Sequence, residues 1–88
     1  MSDELHNYVI TLVHPAPGQP DARRFVRYGD VVRRHRGEIY QYVDRWNVVF
    51  PLRAPSSLHA RLVAVEHDRE ARRSARIQEW PVITVRAT

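Results

Sequence analysis

The chain has 88 residues, no cysteine and a formal net charge of +4 at pH 7, with fourteen arginines and no lysine against ten acidic residues. The absence of cysteine excludes disulfides, thiolate metal sites and cysteine nucleophiles, and no apolar run approaches the roughly 20 residues that span a bilayer. A hydrophobic share of 43% and a charged share of 27% predict one folded domain over residues 1–88, whose positive charge favours a polyanionic partner such as nucleic acid.

The first predicted element is a strand over residues 8–13, because the run YVITLV consists of β-branched, aromatic and leucine side chains. The prolines and the glycine of HPAPGQP, residues 14–20, end this strand. Asp21 follows at the N-cap position of an amphipathic helix predicted over residues 21–36. Gly37 is the predicted left-handed C-cap of that helix.

The predicted helix contains most of the stretch RRFVRYGDVVRRHRGE, in which six residues are arginine. Helical spacing puts Phe25, Val26 and Val32 on the face that we expect to pack against a sheet. The arginines therefore point outward, where pairs such as Asp30 with Arg34 would contribute only about 0.3–0.5 kcal/mol each. We accordingly expect this densest basic cluster to be a solvated helix face or a contact with peripheral RNA.

Residues 38–43 (EIYQYV) begin a second strand, and residues 47–52 (NVVFPL) either continue it or form a separate strand. We favour one long strand with an irregular middle at the segment DRW. Pro51 limits its far end to a sheet edge or a strand terminus, because proline cannot donate to the hydrogen-bond ladder.

Residues 58–66 (LHARLVAVE) are predicted as the third strand, with Leu62, Val63 and Val65 at its apolar centre. Asp68 is the second predicted N-cap, and it precedes a short helix over residues 69–78. Both elements lie after the loop RAPSS, which separates them from the preceding strand.

The run VITVRA, residues 82–87, is the last predicted strand, and it completes the order strand, helix, strand, strand, helix, strand. A chain with this βαββαβ order closes as a four-stranded antiparallel sheet with both helices on one face. We therefore predict an α+β, ferredoxin-like fold whose second sheet face is uncovered.

The residues that catalysis or metal binding would require form no recognisable set. The histidines are scattered, with no pair at i, i+4 and no close carboxylate partner; they are His6, His14, His35, His59 and His67. The three glycines do not form a phosphate-binding loop. We therefore expect no metal site, no cofactor, no catalytic residue and no small-molecule substrate, with a small ferredoxin-like enzyme or ligand-binding regulator as the alternative.

RNA-recognition proteins of this fold stack bases on aromatic side chains of the central strands. The predicted third strand contains no aromatic residue, and base stacking of that kind is therefore disfavoured. We expect any bound RNA to be held mainly through its backbone and its shape.

Five short motifs, taken in order over residues 7–88, resemble the bacterial-type small-subunit ribosomal protein S-six family. The matching residues are Val13-His14-Pro15, Gly37-Glu38-Ile39, Asp44 to Trp46, Phe50-Pro51-Leu52 and His59 to Glu66. Their joint order and spacing carry the resemblance, and the fold of the family is the one predicted above. The family's R-R-L-A-Y sequence before the proline is reduced here to NVVF, a drift that favours a mitochondrial ribosome over that of a bacterial cytoplasm.

The resemblance implies a structural, non-enzymatic constituent of the small ribosomal subunit. It implies a heterodimer with ribosomal protein S-eighteen that binds the central domain, or platform, of the small-subunit rRNA, next to other small-subunit proteins, and supports assembly and translation. We expect no membrane partner. A stand-alone RNA-binding protein is the remaining alternative.

Four arginines on or beside the predicted sheet are the candidate RNA-binding residues: Arg45, Arg53, Arg61 and Arg86. Three aromatic residues are candidates for a protein interface: Tyr40, Tyr42 and Trp46. The alternatives are solvated strand positions for the arginines and core or edge packing for the aromatic residues. Trp80 is predicted to lie in the core.

Overall fold

The structure is a computed structural model that describes residues 4–18 and 21–88. Its elements are β1 (His6–Pro15), α1 (Ala22–Arg34), β2 (Glu38–Gln41), β3 (Arg45–Ala54), α2 (Ser57–Ala75) and β4 (Thr84–Ala87). The predicted order of strands and helices is confirmed, although two segments differ from the expected assignment. Residues 19 and 20 of the predicted turn lie outside the described residues.

The four strands form one antiparallel sheet in the order β2-β3-β1-β4. The buried side chains of β1 and β3 form one cluster with those of α1 and α2, so both helices cover the same face of the sheet. This is the predicted α+β, ferredoxin-like fold. The two long strands β1 and β3 are central, and the short strands β2 and β4 form the edges.

The predicted long second strand is wrong, because the chain reverses at residues 42–44. The backbone N–H of Tyr42 donates to the carbonyl oxygen of Arg45 over 2.8 Å, and β2 then pairs with β3 as a hairpin, with Ile39 opposite Val48. The segment DRW therefore contains a turn and the start of a new strand. The hairpin therefore supplies both middle strands, one of which the prediction had placed farther along the chain, at residues 58–66.

The predicted third strand is also wrong, since residues 58–66 belong to α2. Ser56 is the N-cap of α2, and its side-chain oxygen accepts from the backbone N–H of His59 over 3.1 Å. The buried positions of α2 recur at helical spacing and are almost all small: Ala60, Ala64, Asp68, Ala71 and Ala75. Leu62, a predicted core residue, is 59% exposed, because the alanines rather than the leucines face the sheet.

The N-terminus of α1 follows the prediction. Asp21 is its N-cap, and the carboxylate accepts from the backbone N–H groups of Arg23 and Arg24 over 3.1 and 3.4 Å. Val26, predicted to face the sheet, is 58% exposed, whereas Tyr28 is fully buried. Val32 is fully buried and Phe25 packs against the core, as predicted, so the buried face of α1 overlaps the predicted one and extends to Tyr28 rather than to Val26.

The C-terminus of α1 is capped by a different residue from the predicted glycine. Arg36 adopts the left-handed conformation, with φ of 62°, and Gly37 does not. Gly37 is required for space instead, since a Cβ atom there would lie 2.6 Å from Cγ1 of Val32 and 2.7 Å from Cε1 of Phe50. The chain can therefore pass close to the core immediately after the helix.

The core lies between the sheet and the helices. Its largest fully buried side chains include Ile10, Leu12, Tyr28, Val32, Val48 and Phe50. Trp80 is 8% exposed, which confirms its predicted place in the core. Its ring lies edge-on to those of Phe25 and Trp46, with centroids 5.2 and 5.3 Å apart.

Within residues 4–18 and 21–88, neither helix combines the length and the apolar character that a membrane span requires.

Candidate nucleic-acid interface

The sheet face opposite the helices is mixed in character, with apolar residues at its centre. Successive strand residues point to opposite faces, so Ile10, Leu12, Trp46, Val48 and Phe50 face the helices and their neighbours face away. The outward residues include the cross-strand neighbours Val9 with Pro51, Thr11 with Val49 and Val13 with Asn47. We call this surface the open sheet face.

Three of the four predicted RNA-binding arginines lie on the open sheet face at regular steps. Along β1, Arg53 pairs with Asn7, Arg86 with Thr11 and Arg45 with Pro15. Steps of four residues correspond to about 13 Å along the strand. Arg53 and Arg45 come from β3 and Arg86 from β4, so the three cations alternate across β1 and follow the whole length of the sheet.

The arginines differ in the contacts that their guanidinium groups make within the protein. Arg45 donates from Nη1 to Oδ1 of Asp44 over 2.9 Å, and its guanidinium carbon lies 4.4 Å from the ring centroid of Tyr42. Both members of this ion pair are exposed, and such pairs contribute only about 0–1 kcal/mol. Arg53 and Arg86 are also exposed. A phosphate could therefore replace the carboxylate at Arg45 at small cost.

Arg61 was predicted on a strand and instead lies on α2. It shares with Arg86 a groove of about 460 Å³ along the edge strand β4. A second groove, of about 410 Å³, brings Arg36 next to Arg53 at the other end of the sheet. Arg36 was missed because it was assigned to the solvated helix face, whereas its left-handed conformation follows the end of α1 and turns the chain toward β2.

The predicted interface aromatics fall into two groups. Tyr40 and Tyr42 are 47% and 48% exposed, and Tyr40 pairs with Asn47, which places it on the open sheet face. A hydrogen bond from the Tyr40 hydroxyl to Glu38, followed by the charge of Glu38, raises the pKa of Tyr40. Trp46 is 8% exposed and packs on Phe25 with ring centroids 4.9 Å apart, so in this chain it is a core residue rather than an interface residue.

Asn47 is the one described residue with a buried side-chain polar atom that has no hydrogen-bond partner. The atom is Oδ1, and it lies under the open sheet face between Val13 and Tyr40 in the pairing register. An unpaired buried acceptor costs about 1–3 kcal/mol. The open sheet face thus contains a destabilising, unpaired acceptor for which no neighbouring side chain among the described residues provides a donor.

The other side of the sheet holds a polar network, centred on the fully buried side chains of His14, Tyr28 and Asp68, that the sequence reasoning missed. The carboxylate Oδ1 of Asp68 accepts from the hydroxyl of Tyr28 over 2.5 Å and lies 2.7 Å from Nε2 of His14. Its Oδ2 accepts from Nε of Arg72 over 2.8 Å. His14 also donates from Nδ1 to the carbonyl oxygen of Pro81 over 2.7 Å.

The partners of Asp68 determine its charge. Burial alone would raise its pKa, but the hydrogen bond and charge of His14, with Tyr28 and Arg72, outweigh burial and hold the pKa of Asp68 below its usual value. Burial and the same carboxylate raise the pKa of Tyr28 well above its usual range. Asp68 is therefore ionised and serves as the acceptor that ties β1 to both helices.

The signal for this network was present in α2. Asp68 stands in register with the buried alanines at positions 60, 64, 71 and 75, so a helical reading of that segment would have put a carboxylate in the core. An acid at such a position requires a buried donor. His14, assigned to a turn, is that donor, and the expectation that the histidines have no close carboxylate partner is wrong.

A pocket of about 300 Å³ lies next to the network. It is a candidate ligand site for the alternative, a ligand-binding protein. Its polar lining includes Asp21, Arg24 and Glu79, of which Asp21 already caps α1 and pairs with Arg24 over 3.4 Å. Trp80 also lines the pocket and stacks on His14 with ring centroids 3.9 Å apart. The indole therefore separates the pocket from the buried polar network.

The helical layer contains a third group of polar side chains, formed by His35, His67 and Glu70. Burial, followed by the charge of His35, lowers the pKa of His67. The hydrogen bond with His35 is the main cause that lowers the pKa of Glu70. These three residues could hold a metal ion, and they lie away from the open sheet face.

The motifs that resemble the ribosomal S-six family are not all placed as the family pattern requires. Val13-His14-Pro15 ends β1, Gly37-Glu38-Ile39 leads into β2, and Phe50-Pro51-Leu52 lies within β3. The segment from His59 to Glu66, matched to a strand of the family, is helical in this chain. Comparisons of the chain with protein-family models, with curated proteins and with solved structures found no match.

Proposed function

We propose that this chain is a non-enzymatic RNA-binding protein that holds RNA on the open sheet face, as a constituent of the small ribosomal subunit. The observation that carries the proposal is the row of Arg53, Arg86 and Arg45, spaced four residues apart along β1 on a face that the helices leave uncovered. A regular row of exposed guanidinium groups matches a polyanion with a regular phosphate repeat.

Phosphate binding by this row has a defined physical consequence. Each neutralised phosphate releases counterions, and the logarithm of the association constant then falls with the logarithm of salt concentration by about 0.7 per phosphate for a single strand. Contacts with the RNA backbone therefore supply the affinity, in accord with the expectation that RNA is held through its backbone and its shape.

The ribosomal setting rests on the resemblance of the remaining motifs in β1, β2 and β3. In that setting the RNA is the central domain of small-subunit rRNA, and the partner protein is ribosomal protein S-eighteen, in a mitochondrial ribosome. The edge strand β2 supports a protein contact, because an edge strand presents unpaired backbone groups that a partner strand can use. Tyr40 and Tyr42 stand next to that edge and would face the partner.

The RNA contact is tested by titrating a single-stranded RNA oligomer at several salt concentrations with the wild-type chain and with the variants Arg53→Gln and Arg86→Gln. Arg27→Gln, an exposed arginine of α1, is the matched control of equal charge change. We expect each sheet variant to reduce the salt slope by about 0.7 and the control to leave it unchanged. Equal losses in all three variants would contradict binding at the open sheet face.

The ribosomal setting is tested separately by sedimentation of a cell lysate. We expect the protein in the small-subunit fraction at low salt and its release as salt is raised. Strong RNA binding in vitro together with free sedimentation in cells would favour the stand-alone RNA-binding protein. A protein that sediments freely and binds no RNA would favour the small enzyme or ligand-binding regulator.

A further inference from the structure

His35, His67 and Glu70 meet on the helical layer, where the end of α1 approaches the middle of α2. His35 is the C-cap residue of α1. His67 and Glu70 are three residues apart within α2, and residues at that spacing lie side by side on one helix face. Two elements distant in sequence therefore bring an imidazole to a preformed imidazole and carboxylate pair.

The ligand atoms of the three side chains all lie within 4.8 Å of one another. Nε2 of His35 is 2.7 Å from Oε2 of Glu70, and the rings of His35 and His67 are stacked with centroids 3.7 Å apart and an angle of 11° between their planes. The side chain of His35 is 29% exposed and that of Glu70 is 55% exposed. The cluster is therefore compact and still open to solvent.

We propose that His35, His67 and Glu70 form a site for a divalent transition metal, with Zn²⁺ as the best-matched ion. Two imidazole nitrogens and one carboxylate oxygen are a ligand set that Zn²⁺ accepts, with a fourth position open to water. Bonds of about 2.0–2.2 Å in tetrahedral geometry put ligand atoms roughly 3.4 Å apart, so separations of up to 4.8 Å have to shorten by up to about 1.4 Å, and the 2.7 Å between His35 and Glu70 has to widen by about 0.7 Å.

Metal entry requires one defined rearrangement. The lone pairs of an imidazole lie in its ring plane, and the planes of two parallel stacked rings do not meet at a nearby ion. One imidazole therefore has to rotate for both rings to bind the same ion. The proton between His35 and Glu70 has to leave at the same time, because a metal ligand is deprotonated. The side chains of His35 and Glu70 are both partly exposed, which leaves room for these changes while the α2 backbone stays in place.

The charges around the cluster set a limit on affinity. The positive charge of Arg34 acts on Glu70. This positive charge also opposes the binding of a dication at the cluster. On the core side the cluster is closed by Phe50, whose ring centroid lies 5.5 Å from that of His67. The site thus has one apolar wall, one open side and a competing arginine at its rim, which favours moderate rather than very tight binding.

The bound ion would tie the C-terminus of α1 to the centre of α2. Binding to the native state alone stabilises a protein by mass action, so metal should raise the midpoint of thermal unfolding. The cluster lies on the helical layer and the proposed RNA contact lies on the open sheet face. Failure of one proposal therefore leaves the other intact, and their variants test them independently.

The test is a titration of the metal-free, tag-free chain with Co²⁺, followed by visible absorption, and with Zn²⁺, followed by calorimetry. We expect one equivalent to bind, with the intense ligand-field bands of a four- or five-coordinate Co²⁺ site. His67→Gln and Glu70→Gln should each weaken binding by at least about tenfold. His59→Gln is the matched control, because His59 is an exposed histidine of the same helix, and it should bind as the wild type does.

Thermal unfolding in chelator distinguishes loss of the site from loss of the fold. Glu70→Gln keeps the shape of an exposed side chain, so its unfolding midpoint without metal should match that of the wild type, while the upward shift on adding Zn²⁺ should disappear. Absence of saturable binding to the wild type would overturn the proposal. Binding that persists undiminished in His67→Gln and Glu70→Gln would also overturn it.

Discussion

The two faces of β1 differ in whether their polar side chains have partners within the protein. Toward the helices, His14 is fully buried and both of its ring nitrogens have partners, one of them the carboxylate of Asp68. On the open sheet face, Arg53 and Arg86 reach into solvent and the buried Oδ1 of Asn47 has no partner. On the side of the helices, the polar groups bind one another and connect β1, α1 and α2. On the open sheet face, they remain available to another molecule.

The sharpest test of this contrast is removal of the charge of Asp68. Asp68→Asn leaves His14 and Arg72 without their common carboxylate in a buried site, and breaking such a pair costs about 3–5 kcal/mol of unfolding free energy. Glu66→Gln is the matched control, since Glu66 pairs with Arg69 on the exposed side of the same helix. Urea denaturation should show the large loss in the first variant and a change below about 1 kcal/mol in the second.

Acid provides a second way to break the buried network. The pKa of Asp68 in the folded chain lies below its usual value of 3.8, so its contribution is fully present above about pH 4 and is lost as the pH falls through the lower, folded-state pKa. The unfolding free energy of the wild type should therefore fall more steeply below pH 4 than that of Asp68→Asn. Parallel curves for the two proteins would show that Asp68 does not take part in the acid transition.

On the open sheet face, substitution of Asn47 should stabilise the chain rather than weaken it. Asn47→Val removes the unpaired acceptor and adds a β-branched side chain on a central strand, which should raise the unfolding free energy by about 1 kcal/mol. The measurement is again urea denaturation of both proteins at neutral pH. A loss of stability would mean that the Asn47 side chain contributes more to the fold than its unpaired acceptor costs.

The smallest expected effect on stability comes from the arginine row. The double variant Arg53→Gln with Arg86→Gln should change the unfolding free energy by less than about 0.5 kcal/mol, because both side chains are exposed. The same variant should lower the salt slope of RNA binding by about 1.4. A large loss of stability would place these residues with the buried network instead of with the binding surface.

The order of elements could be predicted from the sequence, but the identity of two of them could not. Residues 58–66 contain Leu62, Val63 and Val65, a run that is typical of a strand. The helix is decided by the small residues at positions 60, 64, 71 and 75, which allow α2 to pack closely on the sheet. Tertiary packing overrides local propensity in this segment, while the hairpin at residues 42–44 restores the missing strand.

The candidate site was predictable to the extent that it depends on alternation along strands. Arg45 and Arg86 lie on strands, as expected, and Arg53 lies at the end of β3 rather than in the following loop. Arg61 moved to α2 with its whole segment, and Trp46 faces the core because Val48 and Phe50 share its side of β3. The His14–Asp68 pair and the His35, His67 and Glu70 cluster required the helical register of α2, which the sequence reading lacked.

The central position of β1 also governs how fast the chain can fold. Val9 and Thr88 exchange two backbone hydrogen bonds, of 3.1 and 2.9 Å, across a separation of 79 residues. Topologies dominated by such distant pairings lose much chain entropy before they gain contacts, and small domains of this kind fold in roughly milliseconds to seconds. Until β3 and β4 pair with it, both edges of β1 stay unpaired, so the sheet is complete only when the two ends of the chain have met.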